Sequence, residues 1–324
     1  MKLWLKQFKA IALNAFKVLI SDALFFIMHI SVLGGILLIA SLPGFTLGGQ
    51  LHLVNEQILA LTFILGTFLT IISSARVISE DLSGLMSTIM SRPVSVSALL
   101  AGKWAGIILS NALFFTSSCI AALWATRLVK TEHMVETLGL TFYLGVIFCT
   151  LLFGVIRHYI KGGDFFKPVN LTLVLLLSVV FFTLNFWGYN GEAASYGYIV
   201  DWQAAIPYMY VFMALSVFTS ILVLCSVIMN VTTILVTGGI VFFFGMFSDF
   251  FLNLMFKPDS VLRGIASILI PDWQMFWISG TFSKGIDSLH ASFFFPHFFQ
   301  ALFQILFFIT IAVIIFENNE LKDL

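Results

Sequence analysis

Runs of about twenty apolar residues recur along the chain, parted by short polar segments, at 24–42, 58–78, 101–125, 138–157, 169–187, 208–229, 231–252 and 298–316. A run of that length crosses the hydrocarbon core of a bilayer as an α-helix, because only a helix satisfies its own backbone donors and acceptors there. The expected fold class is therefore an all-α polytopic membrane protein with about eight transmembrane helices. Composition agrees. The chain is 60% hydrophobic and 10% charged, whereas a soluble domain carries about 25% charged residues.

Ahead of the first run, residues 1–22 place Lys2, Lys6, Lys9 and Lys17 on one helical face and Leu5, Phe8, Ala12, Phe16 and Leu19 on another. This pattern predicts an amphipathic interfacial helix on the inner membrane surface. It lacks the compact apolar core and small-residue cleavage site of a signal peptide. Residues 23–324 read as a single transmembrane domain.

Net charge is zero, which says nothing about nucleic-acid or acidic partners, and only the placement of basic residues is informative; no nucleic-acid partner is expected. With the N-terminus inside, the inner side holds Lys2, Lys6, Lys9, Lys17, Arg76, Arg92, Lys103, Arg157, Lys161, Lys167 and Lys322. The outer side holds Arg127, Lys130, Lys257, Arg263 and Lys284, together with Glu56, Glu132, Glu136, Glu192, Asp201, Asp259, Asp272 and Asp287. The excess of inner Lys and Arg puts both termini in the cytoplasm. The longer outer loops are then 188–207, rich in Gly and aromatic residues, and 253–297, where Trp273, Phe276 and Trp277 suit a membrane interface.

The polar segment 79–103, SEDLSGLMSTIMSRPVSVSALLAGK, lies between the second and third runs and has helical content of its own. Glu80 and Asp81 suit a helix start, where the dipole favours negative charge. Gly84 permits close approach or a bend. Pro93 bars Arg92 from the α region, and Ser95 or Ser97 can cap the next helix. Lys103 can snorkel to the headgroups.

Glu80, Gly84, Pro93, Gly102 and Lys103, in this order, resemble the cytoplasmic coupling segment of ABC type-2 transporter permeases. In that family an acidic residue closes the second span, and Gly-Lys opens the third. The resemblance is clearest over 58–125. Position 96 is Val where many members carry a basic or bulky polar residue, and the runs within 138–187 are additional to the usual six. The resemblance implies the permease subunit of an exporter in the bacterial cytoplasmic (inner) membrane. It implies a cytoplasmic P-loop ATPase as partner, holding ATP and Mg. It also implies a second permease chain, identical or related. Glu80, Gly84, Arg92 and Pro93 are the expected coupling residues.

Small and hydroxyl residues recur on the second run at Thr62, Gly66, Thr70 and Ser73, and on the seventh at Thr233 and Thr237. Such stripes pack helices closely; in the resembled family, the equivalent helices flank a translocation path. His29 lies inside the first run and Asp249 near the outer end of the seventh, where ionisable groups are costly. Asp249 is placed to pair with Lys257. Asn111 and Asn185 are expected to hydrogen-bond between helices. Cys119, Cys149 and Cys225 lie in apolar runs without metal-ligand spacing and read as small buried hydrophobes.

No P-loop, HExxH or GxSxG motif occurs in the sequence. The chain is expected to hold no metal or cofactor and to be no enzyme itself. The Phe-rich spans suit a lipidic or amphiphilic cargo. Two other readings stay open. One is a non-transporting scaffold that anchors an ATPase to another machine. The other is an ATP-independent carrier or lipid-modifying membrane enzyme.

Overall fold

The structure is a computed structural model that describes residues 2–42, 50–80, 94–131, 134–189, 191–257, 260–278 and 291–320. Helices α1 (Lys2–Ile20), α2 (Ala23–Ser41) and α3 (Gln50–Ser74) come first, and α3 runs on as a π-helical turn over Ala75–Glu80. Next comes α4 (Val96–Leu128), followed by a short antiparallel ribbon of β1 (Val129–Thr131) and β2 (Met134–Val135). Helices α5 (Thr137–Lys161), α6 (Phe166–Leu184) and α7 (Ile206–Ile228) follow, then α8 (Val231–Met246), α9 (Ser248–Met255), α10 (Val261–Leu269) and α11 (Ala291–Glu320).

The protein is thus all-α and polytopic. Among the described residues, 7 helices are long and apolar enough to cross a membrane. Residues 231–252, expected as one span, belong to α8 and α9, which bend by 67° at Phe247 and make up an eighth apolar stretch of spanning length only when taken together. At 33 residues, α4 is about 50 Å long, so its ends project past a hydrocarbon core of roughly 30 Å.

The chain divides into two compact units. One comprises Ile20–Gly66 and Ala112–Met209. In it α5 and α6 form a packed hairpin. Gly154 allows their approach, since a Cβ there would run into Val169 and Phe165. Helix α2 packs on α6, and Tyr143 of α5 donates to Leu33 O of α2 at 2.9 Å. The far sides of the hairpin are apolar and exposed, as at Phe148, Leu152, Leu175 and Val179. Cys149 is exposed there rather than buried.

The β-ribbon returns the chain so that Glu136 meets Arg127. The pair is bidentate, with Nε to Oε2 and Nη2 to Oε1 both at 2.7 Å. Arg127 Nη1 donates to Leu184 O at 2.7 Å, covering a carbonyl at the end of α6. Arg127 is 0% and Glu136 3% exposed, so each depends on the other to be tolerated there. Beyond α6, Gly191 and Gly197 take positive φ. They let residues 185–205 fold back with Tyr196 packed between Phe186 and Trp202.

The other unit comprises Met1–Leu19, Thr67–Asn111 and Tyr210–Leu324. Its core gathers Ala15, Leu19, Val77, Leu99, Leu100, Ile107, Val223, Ala312 and Phe316. The bend between α8 and α9 leaves carbonyls at the end of α8 without helical donors. The turn around Trp273 covers them. Trp273 Nε1 donates to Phe242 O at 3.0 Å, Trp273 N to Gly245 O at 3.1 Å, and Gln274 Nε2 to Met246 O at 2.8 Å. Position 245 must be Gly, because a Cβ would enter the indole ring. Partial burial raises the Asp272 carboxyl above the ordinary carboxylate range, although its Oδ1 accepts Gln274 N at 2.9 Å. Asp249 pairs with Arg263 at 3.5 Å and not, as its position suggested, with Lys257.

Replacing Glu136 by Gln leaves the Arg127 charge buried without its counter-ion. Thermal unfolding of the purified protein in detergent should register a loss of about 3–5 kcal/mol. The paired replacement Arg127→Met with Glu136→Leu should lose less, because no charge is then stranded.

Candidate functional site

The two chain ends that bracket residues 81–93 are held by one arrangement of α1, the π-helical turn and the start of α4. Ser95 stands just before α4, and its carbonyl accepts the first intrahelical bond, from Leu99 N at 3.0 Å. Its hydroxyl meets Gln7 Oε1 of α1 at 3.4 Å, and Ser97 Oγ accepts the Trp4 indole N–H at 3.0 Å. Trp4 stacks on Phe8 one turn later at 5.4 Å.

Two glycines allow α1 to sit this close. A Cβ at Gly102 would meet Ile11 at 3.0 Å and Phe8 O at 3.1 Å. A Cβ at Gly106 would meet Ala15 Cβ at 2.5 Å and Ala12 O at 2.8 Å. Gly102 and Gly106 are a small-xxx-small pair against Ala12 and Ala15, a spacing that lets helix backbones touch. The helix expected to lie on the membrane surface is therefore also a buttress of α4. Lys6, Lys9 and Lys17 remain on its exposed face.

Lys103 is the main correction. Instead of snorkelling outward it is 3% exposed, and Nζ donates to Val77 O at 2.7 Å. Val77 lies in the π-helical turn that extends α3. A π-helical turn changes the pairing ladder and is common at functional positions. The Lys103 ammonium thus ties the end of one span to the start of the next. Helix α8 packs on the same turn, and Gly238 admits Ile71, whose Cγ1 would lie 2.9 Å from a Cβ at that position.

Of the expected coupling residues, Glu80 is the last of the π-helical turn. Its side chain, and all of Gly84, Arg92 and Pro93, lie outside the described residues.

The small-residue stripe is buried along α3. Thr62 is 0% exposed and donates to Ile58 O of its own helix at 2.9 Å. Gly66 and Ser73 are buried, and Thr70 Oγ1 accepts Asn111 Nδ2 of α4 at 2.9 Å. On α8, Thr233 is exposed, and its N and Oγ1 both donate to Oδ1 of the N-cap residue Asn230. Thr237 donates to Met229 Sδ at 3.5 Å.

His29 is fully buried, with Nδ1 3.1 Å from Asn170 Oδ1 and Nε2 2.6 Å from Ser117 Oγ. Asn170 Nδ2 donates to Ile20 O at 3.0 Å, so its oxygen faces the ring and Nδ1 carries the imidazole proton. Ser117 Oγ, whose own hydrogen goes to Phe114 O at 2.8 Å, lies against Nε2. Ser117, His29 and Asn170 stand in the order of nucleophile, base and orienting group, but each is 0% exposed. The arrangement ties helices together and presents no nucleophile. Asn185, expected to bridge helices, is buried with no side-chain hydrogen bond among the described residues.

In comparisons with family models, characterised proteins and solved structures, nothing matches the chain.

Gly106→Leu should push α1 off α4. A disulfide between Trp4→Cys and Ser97→Cys, in a background without native cysteines, should form readily in the parent and poorly with Gly106→Leu. Gly145→Leu is the control, because a Cβ there meets nothing within 4 Å. Lys103→Met removes the donor to Val77 O and should cost about 1–3 kcal/mol of stability.

Proposed function

We propose that this chain is the membrane-spanning permease subunit of an ATP-driven exporter of the ABC type-2 kind. It would couple ATP hydrolysis by a separate cytoplasmic ATPase to movement of a lipidic or amphiphilic cargo. The observation that carries the reading is the Lys103–Val77 bond. A coupling segment must deliver force to both spans that hold it. A charge-assisted hydrogen bond at its base makes the two helix ends move as one, and α1 stiffens them through Gly102 and Gly106. The ordered residues Glu80, Gly84, Pro93, Gly102 and Lys103 support the reading from the sequence.

In this proposal ATP and Mg belong to the partner ATPase, and this chain performs no hydrolysis. A second permease chain completes the path. The protein resides in a bacterial cytoplasmic membrane with both termini inside, because Lys and Arg concentrate on that side.

Two experiments test the proposal. Single cysteines at position 88 and position 192 should be, respectively, protected from and open to a reagent outside intact cells. Glu80→Lys and Gly84→Trp should each lower ATPase co-purification and cargo-stimulated hydrolysis, Gly84→Trp more strongly. An exposed ion pair contributes only about 0–1 kcal/mol, whereas bulk at Gly84 blocks backbone approach. Full co-purification and full stimulation in both variants would sink the coupling assignment. Cargo movement into reconstituted vesicles separates an exporter from a scaffold.

A further inference from the structure

The turn joining α5 to α6 holds a cavity of about 340 Å³ lined by Ser21, Arg157, Gly162, Gly163, Asp164, Lys167 and Leu171, among others. The chain makes this hollow by reversing direction through two glycines at φ 64° and 86°, which leave no side chain in the opening. His158 Nδ1 donates to Gly163 O at 2.9 Å and pins the turn. Asp164 is already engaged, its Oδ1 accepting Phe166 N at 3.0 Å and Lys167 N at 3.5 Å. Arg157 and Lys167 line the cavity and Lys161 stands on the same turn. Among the described residues none of these cations has an ion-pair partner. Two cations and one carboxylate thus line the hollow, with a third cation, Lys161, next to it in sequence.

The cavity is two-natured. Leu171 on its wall is 41% exposed and begins an apolar stripe continuing through Leu175 and Val179, on the outward face of a helix apolar enough to span a membrane. An anion alone would use the cations and leave the stripe idle. A molecule with a phosphate head and a hydrocarbon tail uses both, and the last turn of a span is where headgroups lie. We propose that this cavity binds the phosphate headgroup of an anionic phospholipid, with an acyl chain along Leu171, Leu175 and Val179. Basic pockets between transmembrane helices recognise such headgroups by charge and by hydrogen bonds to phosphate oxygens. The site is independent of the coupling role and of the direction in which the chain crosses the membrane.

The test uses the full chain in nanodiscs of equal phosphatidylglycerol and phosphatidylcholine, with the lipid retained after extraction identified by native mass spectrometry. The parent should retain phosphatidylglycerol over phosphatidylcholine by roughly tenfold. Arg157→Gln with Lys167→Gln should bring the ratio close to one. Both side chains are partly exposed and neither is a core residue, so folding should persist, which unchanged thermal unfolding would verify. Lys9→Gln with Lys17→Gln removes the same charge from α1 and should leave the ratio as in the parent. Retention that matches the nanodisc composition, or survives the Arg157 and Lys167 changes, overturns the proposal. Displacement of the lipid by millimolar inorganic phosphate alone would assign the cavity to a free anion and overturn the lipid reading.

Discussion

A helix that ends inside or near a membrane leaves carbonyls that water cannot reach, and each must find a donor from elsewhere in the protein. Much of the polar structure of this chain answers that single demand. Arg127 covers Leu184 O at the end of α6. Asn170 covers Ile20 O at the end of α1, and Lys103 covers Val77 O beyond α3. Trp273 and Gln274 serve the broken end of α8, and Gln304 reaches Ile268 O near the end of α10. In each case a side chain from a different element supplies the N–H. The helix ends are thereby fixed to neighbouring helices, and the polar contacts specify which helices meet where apolar packing against lipid-like surfaces would not.

This explains what could be read from the sequence and what could not. The spans were legible because transfer of apolar residues into hydrocarbon depends on composition alone, and 24–42, 138–157 and 169–187 fall almost wholly within α2, α5 and α6. The bend at Phe247 was not legible. Apart from Ser248 and Asp249 the stretch VFFFGMFSDFF stays apolar across the bend, and the donors that allow the break lie some thirty residues away at Trp273 and Gln274. Backbone acceptors leave no mark in a sequence, so Lys103 reads as a snorkelling residue and Arg127 and Glu136 as separate outer-loop charges. Only the return of the β-ribbon puts the last two in contact.

His29 was conspicuous because an ionisable group inside an apolar run is rare. Its partners were not, since Ser117 and Asn170 are ordinary residues on distant helices. The threonines of α3 illustrate the opposite limit. Their spacing is equally compatible with a lined path and with close packing. Thr62 turns its hydroxyl back to Ile58 O, and Thr70 receives Asn111, contacts that either use of the stripe allows. The seat of α1 had a legible signal in the Gly102 and Gly106 pair, one helical turn apart. The amphipathic pattern of α1 pointed to the membrane surface instead, and both descriptions fit, because a helix can hold small residues against a partner while its lysines face outward.

The π-helical turn and the bend at Phe247 are connected by α8, which packs on the turn near one end and breaks at the other. A helix of 16 residues is about 24 Å long and behaves as a rod between these points. Where force enters at the π-helical turn, as the proposed function requires, α8 carries it to the place where the backbone is already interrupted. The break is held by the indole and amide donors of Trp273 and Gln274 and by the close fit of that indole on Gly245. The joint is itself packed, since Trp273 is buried and meets Phe218 edge-on at 5.7 Å, within the same unit as the core around Leu100, Ile107 and Val223. The Lys103 bond and the bend at Phe247 thus lie on one packed unit, the two points that the proposed function would use.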